Sequence, residues 1–157
     1  MTIDASGQAR PANMKRVAAL KEVEAEIAVL IRRVRRVIGD NARTAHPELQ
    51  PASYLMLGHV RDHGPLRAAD LACVFNIDKG AVSRQVRHLI GLGLLECRPD
   101  PEDGRATLLN VSEDAIVRLT TVAEARSGLL AERLEDWPVT NLTSFAQSLR
   151  LYNEALE

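Results

Sequence analysis

The stretch NIDKGAVSRQVRHL, Asn76–Leu89, decides the fold of this chain. Asp78 is a favourable N-cap for a helix that begins at the next residue. One side of that helix carries apolar residues at helical spacing, namely Val82, Val86, Leu89 and Ile90. Another side carries small, hydroxyl and guanidinium groups, namely Gly80, Ser83, Arg84 and Arg87. The stretch therefore predicts a helix that packs on the protein by its apolar side and presents its polar side.

The segments on either side of this helix predict a winged helix-turn-helix. A short amphipathic helix over about Arg67–Phe75 precedes it, and only Asn76–Asp78 separates the two helices. That separation is typical of a helix-turn-helix. Asn76 stands where the chain leaves the first helix, at a position that suits a residue tolerant of the left-handed conformation. After the helix, Leu94–Arg98 and Arg105–Val111 have the character of strands, and the segment between them contains two prolines and an Asp-Gly pair. A hairpin in this position is a wing.

Helical spacing dominates the rest of the chain. From residue 20, apolar residues recur in alternating steps of three and four, at Leu20, Val23, Ile27, Leu30, Val34 and Val37. Similar steps recur near the C-terminus, at Leu142, Phe145, Leu149, Tyr152 and Leu156. Ser112 is placed to cap a further long helix after the hairpin. We therefore expect a mainly α-helical fold with a small β-hairpin wing.

The composition is that of a soluble globular protein, with 46% hydrophobic and 26% charged residues among 157. No apolar run approaches the roughly 18 residues of a membrane span, and the N-terminus lacks the apolar centre of a secretory signal. These features favour a cytoplasmic location. The two cysteines, Cys73 and Cys97, are too few for a disulfide framework, so we expect them to be reduced.

The charges argue against a uniformly basic nucleic-acid-binding protein, because the net charge is only −1. Residues 1–45 carry nine Lys or Arg against five Asp or Glu, whereas residues 106–157 carry four against eight. Residues 66–105 carry six of each. Any DNA binding must therefore come from a local basic stripe and not from the overall balance.

The polar side of the helix after Asp78 suits the major groove of DNA. Serine and arginine side chains can reach base edges and phosphates there, and Gly80 permits a close approach. Lys79 adds a phosphate contact beside the helix N-terminus. In the hairpin, Asp103 stands two residues before Arg105, so its carboxylate can brace the guanidinium in a minor groove. The alternatives are a solvated surface helix and an ordinary surface ion pair.

Two segments, DKGAVSRQVRHLIGLGLLE (78–96) and RPDPEDGR (98–105), resemble the recognition helix and the Asp-x-Arg wing of the MarR family of bacterial regulators. The resemblance extends from about Leu20 to the C-terminus. It implies a homodimeric transcriptional regulator, expected to be a repressor, whose two winged helices each bind half of a near-palindromic operator in double-stranded DNA. The DNA-binding residues are then Lys79, Gly80, Ser83, Arg84, Gln85 and Arg87 in the major groove, with Asp103 and Arg105 at the minor groove.

The resemblance also divides the chain into regions. Residues 1–15 are expected to form a flexible N-terminus, residues 51–111 a winged helix-turn-helix lobe, and residues 16–50 and 112–157 a helical dimerisation region. The two apolar seams fit that dimer role, and the interface residues are then Leu20, Val23, Ile27, Leu142, Phe145, Leu149 and Tyr152. The alternative is that both seams pack within one chain.

Members of the MarR family often sense small aromatic or phenolic molecules, in a pocket between the dimer region and the winged lobe. The residues that we consider for such a pocket here are Arg43, His46, Tyr54, His59 and Trp137. Each is also compatible with a role in packing or at the surface. Nothing in the sequence selects a particular effector.

Other functions have less support from the sequence. A redox-responsive regulator needs an exposed, readily ionised thiol, whereas Cys73 lies in an apolar helix, where burial is expected, and Cys97 lies beside Arg98. His59 and His63 stand four residues apart without a third metal ligand, so we expect no metal and no other cofactor. No phosphate loop or catalytic motif indicates an enzyme. A winged helix that binds a protein partner instead of DNA is the remaining alternative.

Overall fold

The computed structural model describes residues 6–103 and 106–156, with side chains from residue 13 onwards. Six helices and three strands lie within these ranges, which confirms a mainly helical fold with a small β wing. In chain order they are α1 (Ser6–Ala45), α2 (Pro51–His63), β1 (Leu66–Arg67), α3 (Ala68–Val74), α4 (Lys79–Gly91), β2 (Leu95–Pro99), β3 (Thr107–Val111), α5 (Glu113–Arg133) and α6 (Val139–Glu154).

The three strands form one antiparallel sheet in the order β1-β3-β2. β2 and β3 pair along their whole length and make the predicted wing hairpin. β1 pairs with the other edge of β3, with Leu66 opposite Leu109. The sequence did not predict β1, because two residues are too few to show the alternation of a strand.

The core of the winged lobe is built from one side of each helix and the inner face of the sheet. Its buried apolar residues include Met56, Leu57, Val60, Leu71, Val82, Val86, Leu89, Leu95 and Leu109. Aliphatic side chains of this size each stabilise a fold by about 1.5–3 kcal/mol when fully buried. This core is what fixes α4 on α2, α3 and the hairpin.

Ser112 links the end of the wing to the next helix. Its hydroxyl donates to the Gly93 carbonyl at 2.7 Å and accepts from the Ala115 N–H at 3.2 Å. The second bond is an N-cap, because it satisfies an amide in the first turn of α5. The predicted capping role of Ser112 is confirmed.

The described chain forms two compact units, and the boundary between them lies within α5, after Ile116. The first unit contains α1 together with the winged lobe, whereas residues 16–50 were expected to group with the C-terminal helices. Ala42 and Ala45, in the last turn of α1, are buried in this first unit. α1 is therefore continuous with the core of the lobe at one end and exposed along most of its length.

α1 begins at Ser6, whereas residues 1–15 were expected to be flexible. Residues 8–15 include good helix formers (Gln, Ala, Arg, Met and Lys), which favour the extension, and Pro11, which opposes it. Met1–Ala5 lie outside the described residues. Neither α1 nor any other described helix has an apolar stretch long enough to cross a membrane.

Candidate DNA-binding surface

The turn between α3 and α4 sets the direction of α4. Asn76 adopts a φ of 48°, in the left-handed region that asparagine enters more readily than most residues. Its N–H donates to the Cys73 carbonyl at 3.2 Å. Asp78 Oδ1 accepts from the Ala81 N–H at 2.9 Å and so caps α4. The roles predicted for Asn76 and Asp78 are both confirmed.

α4 has one buried and one exposed side. Its buried residues are Val82, Val86 and Leu89, and its exposed polar side is formed by Lys79, Gly80, Ser83, Arg84 and Arg87. Ile90 was expected on the buried side, but 39% of its surface is exposed. Successive residues are about 100° apart around a helix, so Ile90 lies well away from Leu89, at the margin of the apolar side.

Hydrogen bonds to the helix backbone restrain the exposed polar side. Ser83 Oγ donates to the Lys79 carbonyl at 2.8 Å, and Arg87 Nε donates to the Ser83 carbonyl at 3.2 Å. Side chains already restrained in this way lose less conformational entropy when they bind a ligand. The face thus offers hydroxyl and cationic groups on a rigid support.

Gly80 lies between the cap of α4 and the basic side chains. A Cβ at this position would lie 2.9 Å from Asp78 Oδ1 and 3.6 Å from Arg84 Nη1. The first distance is too short for a real contact, so a larger residue would displace the capping carboxylate. Gly80 therefore protects the cap, in addition to the close approach that the sequence predicts.

Gln85 does not belong to the fully exposed side of α4. It is half-buried, and its Oε1 is buried with no hydrogen-bond partner among the described residues. It lies in an open cleft of about 510 Å³ between α4 and the segment that enters α2, and the cleft is lined by Glu48, Gln50, Ser53, Arg84, Gln85 and His88. His88 Nε2 is 3.4 Å from the Glu48 carbonyl. Of the residues in α4 that were predicted to contact DNA, Gln85 is the least exposed.

The tip of the wing carries the remaining predicted DNA contacts. Asp103 is exposed, and its carbonyl accepts from the Ala106 N–H at 2.8 Å, which closes the turn. Arg105 lies outside the described residues. The ion pair between Asp103 and Arg105 therefore stays a prediction.

An ion pair that was not predicted from the sequence anchors the base of the wing. Arg67 Nε and Nη2 donate to Asp100 Oδ2 at 2.8 and 2.5 Å, and Asp100 is only 6% exposed. Asp100 Oδ1 accepts from the Glu102 N–H at 2.9 Å. Arg67 also donates its backbone N–H to Asp70 Oδ2 at 2.9 Å, in the first turn of α3. The first helix of the helix-turn-helix, β1 and the wing are therefore joined by one polar network.

The same network changes the acidity of Asp100. The N–H of Glu102 and the guanidinium of Arg67 both stabilise the carboxylate, and they hold the pKa of Asp100 below its ordinary value. The bond to Asp100 correspondingly raises the pKa of Arg67. Asp100 is thus charged at neutral pH although its side chain is almost fully covered.

Comparisons with known proteins agree with this arrangement. A model of the MarR family matches residues 48–106, which run from the entry to α2 through β2. YxaD of Bacillus subtilis (strain 168), an uncharacterized HTH-type transcriptional regulator, is 29% identical over 133 residues, covering 85% of this chain and 92% of the relative. The winged lobe of this chain therefore matches the MarR family over residues 48–106.

Solved structures with little sequence identity share the MarR-family fold. A crystal structure of a MarR family transcription regulator has a TM-score of 0.79 at 15% identity and covers 92% of this chain and 95% of that chain. FabT of Streptococcus pneumoniae, solved in complex with DNA, has a TM-score of 0.77 at 9% identity, with 87% and 96% covered. These structures show that the chain has the fold of MarR-family transcription regulators.

The five residues considered for an effector pocket do not form one site. Arg43 pairs with Asp40 at 2.5 Å, and His46 Nδ1 accepts from the Glu48 N–H at 3.2 Å. His59 stacks on His63 and meets the edge of Phe75, Trp137 meets the edge of Phe145, and Tyr54 is half-buried. None of these five candidates lines the cleft beside Gln85.

Cys73 and Cys97 are both exposed free thiols. This corrects the expectation that Cys73 is buried, because the apolar side of the short helix α3 is covered only at Leu71. In the described part of the chain, no group of three or more His, Cys, Asp or Glu residues is placed to hold a metal.

Proposed function

We propose that this protein is a homodimeric, sequence-specific regulator whose two α4 helices enter successive major grooves of a near-palindromic operator. The observation that carries the proposal is the separation of sides on α4. The aliphatic side is buried in the lobe, and the hydroxyl and cationic side is exposed and backed by a fixed core. Such a helix can approach bases without any rearrangement of the fold.

The chemistry of each exposed side chain of α4 suggests its role in DNA binding. Arg84 and Ser83 face outward in the middle of the helix and are proposed to read base edges. Lys79 and Arg87 are proposed to neutralise phosphates, with Gly80 allowing the backbone to come close. Gln85 is proposed to contact DNA only through its amide nitrogen, since its Oε1 is buried.

The wing is proposed to reach the adjacent minor groove. Asp103 and Arg105 would act there as a pair, with the carboxylate orienting the guanidinium. The ion pair between Arg67 and Asp100 supports this role, because it holds the base of the wing against the helix-turn-helix. The wing would then be positioned before DNA arrives.

Dimerisation is proposed to use residues 16–50 and 112–157, with residues 51–111 as the DNA-binding lobe. Apolar side chains on α1 and α6 support it, because Leu20, Val23 and Phe145 are 49%, 45% and 50% exposed in the single chain. The other proposed contacts are half-buried, namely Ile27, Leu142, Leu149 and Tyr152. Exposed apolar stripes of this kind mark protein interfaces.

The regulatory outcome is proposed to be repression in the cytoplasm, by occupancy of an operator. Release would follow if a small aromatic or phenolic effector favours a dimer in which the two α4 helices no longer match one duplex. Such an effector acts only through a difference in affinity between the two dimer shapes.

Selection of bound sequences from random double-stranded DNA with the purified protein tests the proposal. We expect an enriched near-palindrome with half-sites about 10 bp apart from centre to centre, and binding that weakens steeply as salt rises. An absence of enrichment at low salt would contradict DNA reading and favour a winged helix that binds a protein partner.

A further inference from the structure

α1 presents an uncovered apolar seam along its outer length. Every described side chain from Asn13 to Glu26 is exposed. Within the seam, Leu20, Val23, Leu30, Val34 and Val37 are each 40–49% exposed, and Ile27 is half-buried. Six apolar positions in alternating steps of three and four form the surface by which helices pair in coiled coils.

The spacing of this seam is the same when it is read in either direction. Steps of three, four, three, four and three separate its six residues, so an antiparallel copy brings apolar residues opposite one another in six layers, of three kinds that each occur twice. The three kinds are Leu20 opposite Val37, Val23 opposite Val34, and Ile27 opposite Leu30. Each residue then fills the space between residues of the other helix.

Charged residues beside the seam are arranged so that opposite charges meet in the same antiparallel orientation. Glu22, Glu26, Arg33 and Arg36 follow one another in steps of four, seven and three, which places them along one flank of the seam. All four are exposed, and their side chains have no ion pair within the described part of the chain. The flank is acidic in its N-terminal half and basic in its C-terminal half.

We propose that α1 pairs with α1 of a second copy in an antiparallel register, with Glu26 of each chain beside Arg33 of the other and Glu22 beside Arg36. The proposal rests on the homodimer proposed above and specifies how one of its helices is aligned. In a parallel, in-register pair this flank would face the opposite flank of the other helix, so Glu26 and Arg33 would lie beside Ile31 and Ile38 and form no ion pair. Charge therefore selects the direction, and the apolar layers fix the register.

Disulfide trapping tests this register in a background of Cys73→Ser and Cys97→Ser. Leu20 and Val37 lie about 25 Å apart along one helix, so cysteines at both positions cannot react within a chain. We expect Leu20→Cys/Val37→Cys to give a covalent dimer under mild oxidation and Leu20→Cys alone to give none. The matched control is Val23→Cys/Val37→Cys, which is out of register and should react poorly. Circular dichroism verifies that each variant is folded.

The outcomes separate the register from the dimer itself. Efficient cross-linking of Leu20→Cys alone would show a parallel pair and overturn the proposal. A dimer in sedimentation that neither variant traps would also overturn it and leave the homodimer intact. A folded monomer in sedimentation that binds no DNA would contradict the proposed function as well.

Charge reversal gives a second measurement without cysteine. Glu26→Arg should raise the dissociation constant of the dimer on the order of tenfold at low salt, because two exposed pairs become two repulsions. Glu26→Arg/Arg33→Glu should restore it, since the reversed charges still match across the dyad. Arg32→Glu, on the side of α1 away from the seam, is the control and should change dimerisation little. A double variant as weak as Glu26→Arg would contradict the pairing.

Discussion

Arg67 and Asp100 are 33 residues apart in the chain, and their side chains meet at 2.5 Å at the base of the wing. The pair is asymmetric, since the side chain of Arg67 is 44% exposed and that of Asp100 only 6%. The position of the wing is therefore not fixed by its hairpin alone. Its turn is tied to the strand that leads into the helix-turn-helix, so the two elements proposed to contact DNA are held together.

Removing the carboxylate should loosen the wing and lower stability in a pH-dependent manner. The folded-state pKa of Asp100 lies below its ordinary value, so the carboxylate stabilises the fold at neutral pH. That contribution is lost as the pH falls through the folded-state pKa. We therefore expect Asp100→Ala to lower the free energy of unfolding at pH 7 and to differ less from wild type in strong acid. Urea unfolding at several pH values measures this.

A surface pair in the same hairpin provides the control for Asp100→Ala. Glu96 and Arg98 lie 3.3 Å apart with both side chains about half or more exposed. Glu96→Gln should therefore change stability by less than about 1 kcal/mol. Hydrogen exchange of the Glu102 amide should accelerate only in Asp100→Ala, because that amide donates to Asp100. Equal effects of the two substitutions would show that the wing has no special dependence on Asp100.

The polar side of α4 should divide into residues that read bases and residues that bind phosphates. Arg84→Ala is expected to cost about 1–3 kcal/mol of DNA binding and to relax base preference at one position of each half-site. Lys79→Ala should weaken binding to all sequences alike and reduce the slope of log affinity against log salt by about one. Fluorescence anisotropy with the selected operator and single-base variants, at several salt concentrations, distinguishes them. Unchanged discrimination by Arg84→Ala would remove Arg84 from base reading.

Local chemistry explains which features could be predicted from the sequence. The cap at Asp78 and the left-handed Asn76 involve partners no more than three residues away, and both were predicted. The bond between Arg67 and Asp100 depends on β1, a two-residue strand that exists only because it pairs with β3. Gln85 has the same helical spacing whether its oxygen is exposed or buried, so only the packing beside α2 reveals its position.

The stability gained by replacing Gly80 with a better helix former should depend on whether Asp78 caps the helix. Alanine normally favours a helix over glycine by roughly 1 kcal/mol, but a Cβ here would lie 2.9 Å from the capping Oδ1. Loss of a cap costs about 0.5–2 kcal/mol. We expect Gly80→Ala to give little or no gain in wild type and a gain of roughly 1 kcal/mol in an Asp78→Ala background. The double-mutant cycle from urea unfolding measures the coupling, and equal effects in the two backgrounds would contradict it.

Gln85 should be replaceable with a gain in stability. Its buried Oε1 lacks a partner among the described residues, and an unsatisfied buried acceptor costs about 1–3 kcal/mol. Gln85→Met keeps the length of the side chain and removes the amide, so it should raise the free energy of unfolding by about 1 kcal/mol. Gln50→Met is the matched control, because Gln50 lines the same cleft but is exposed and should give no gain. A loss of stability in Gln85→Met alone would mean that the amide oxygen is satisfied in solution, for example by water held in the cleft.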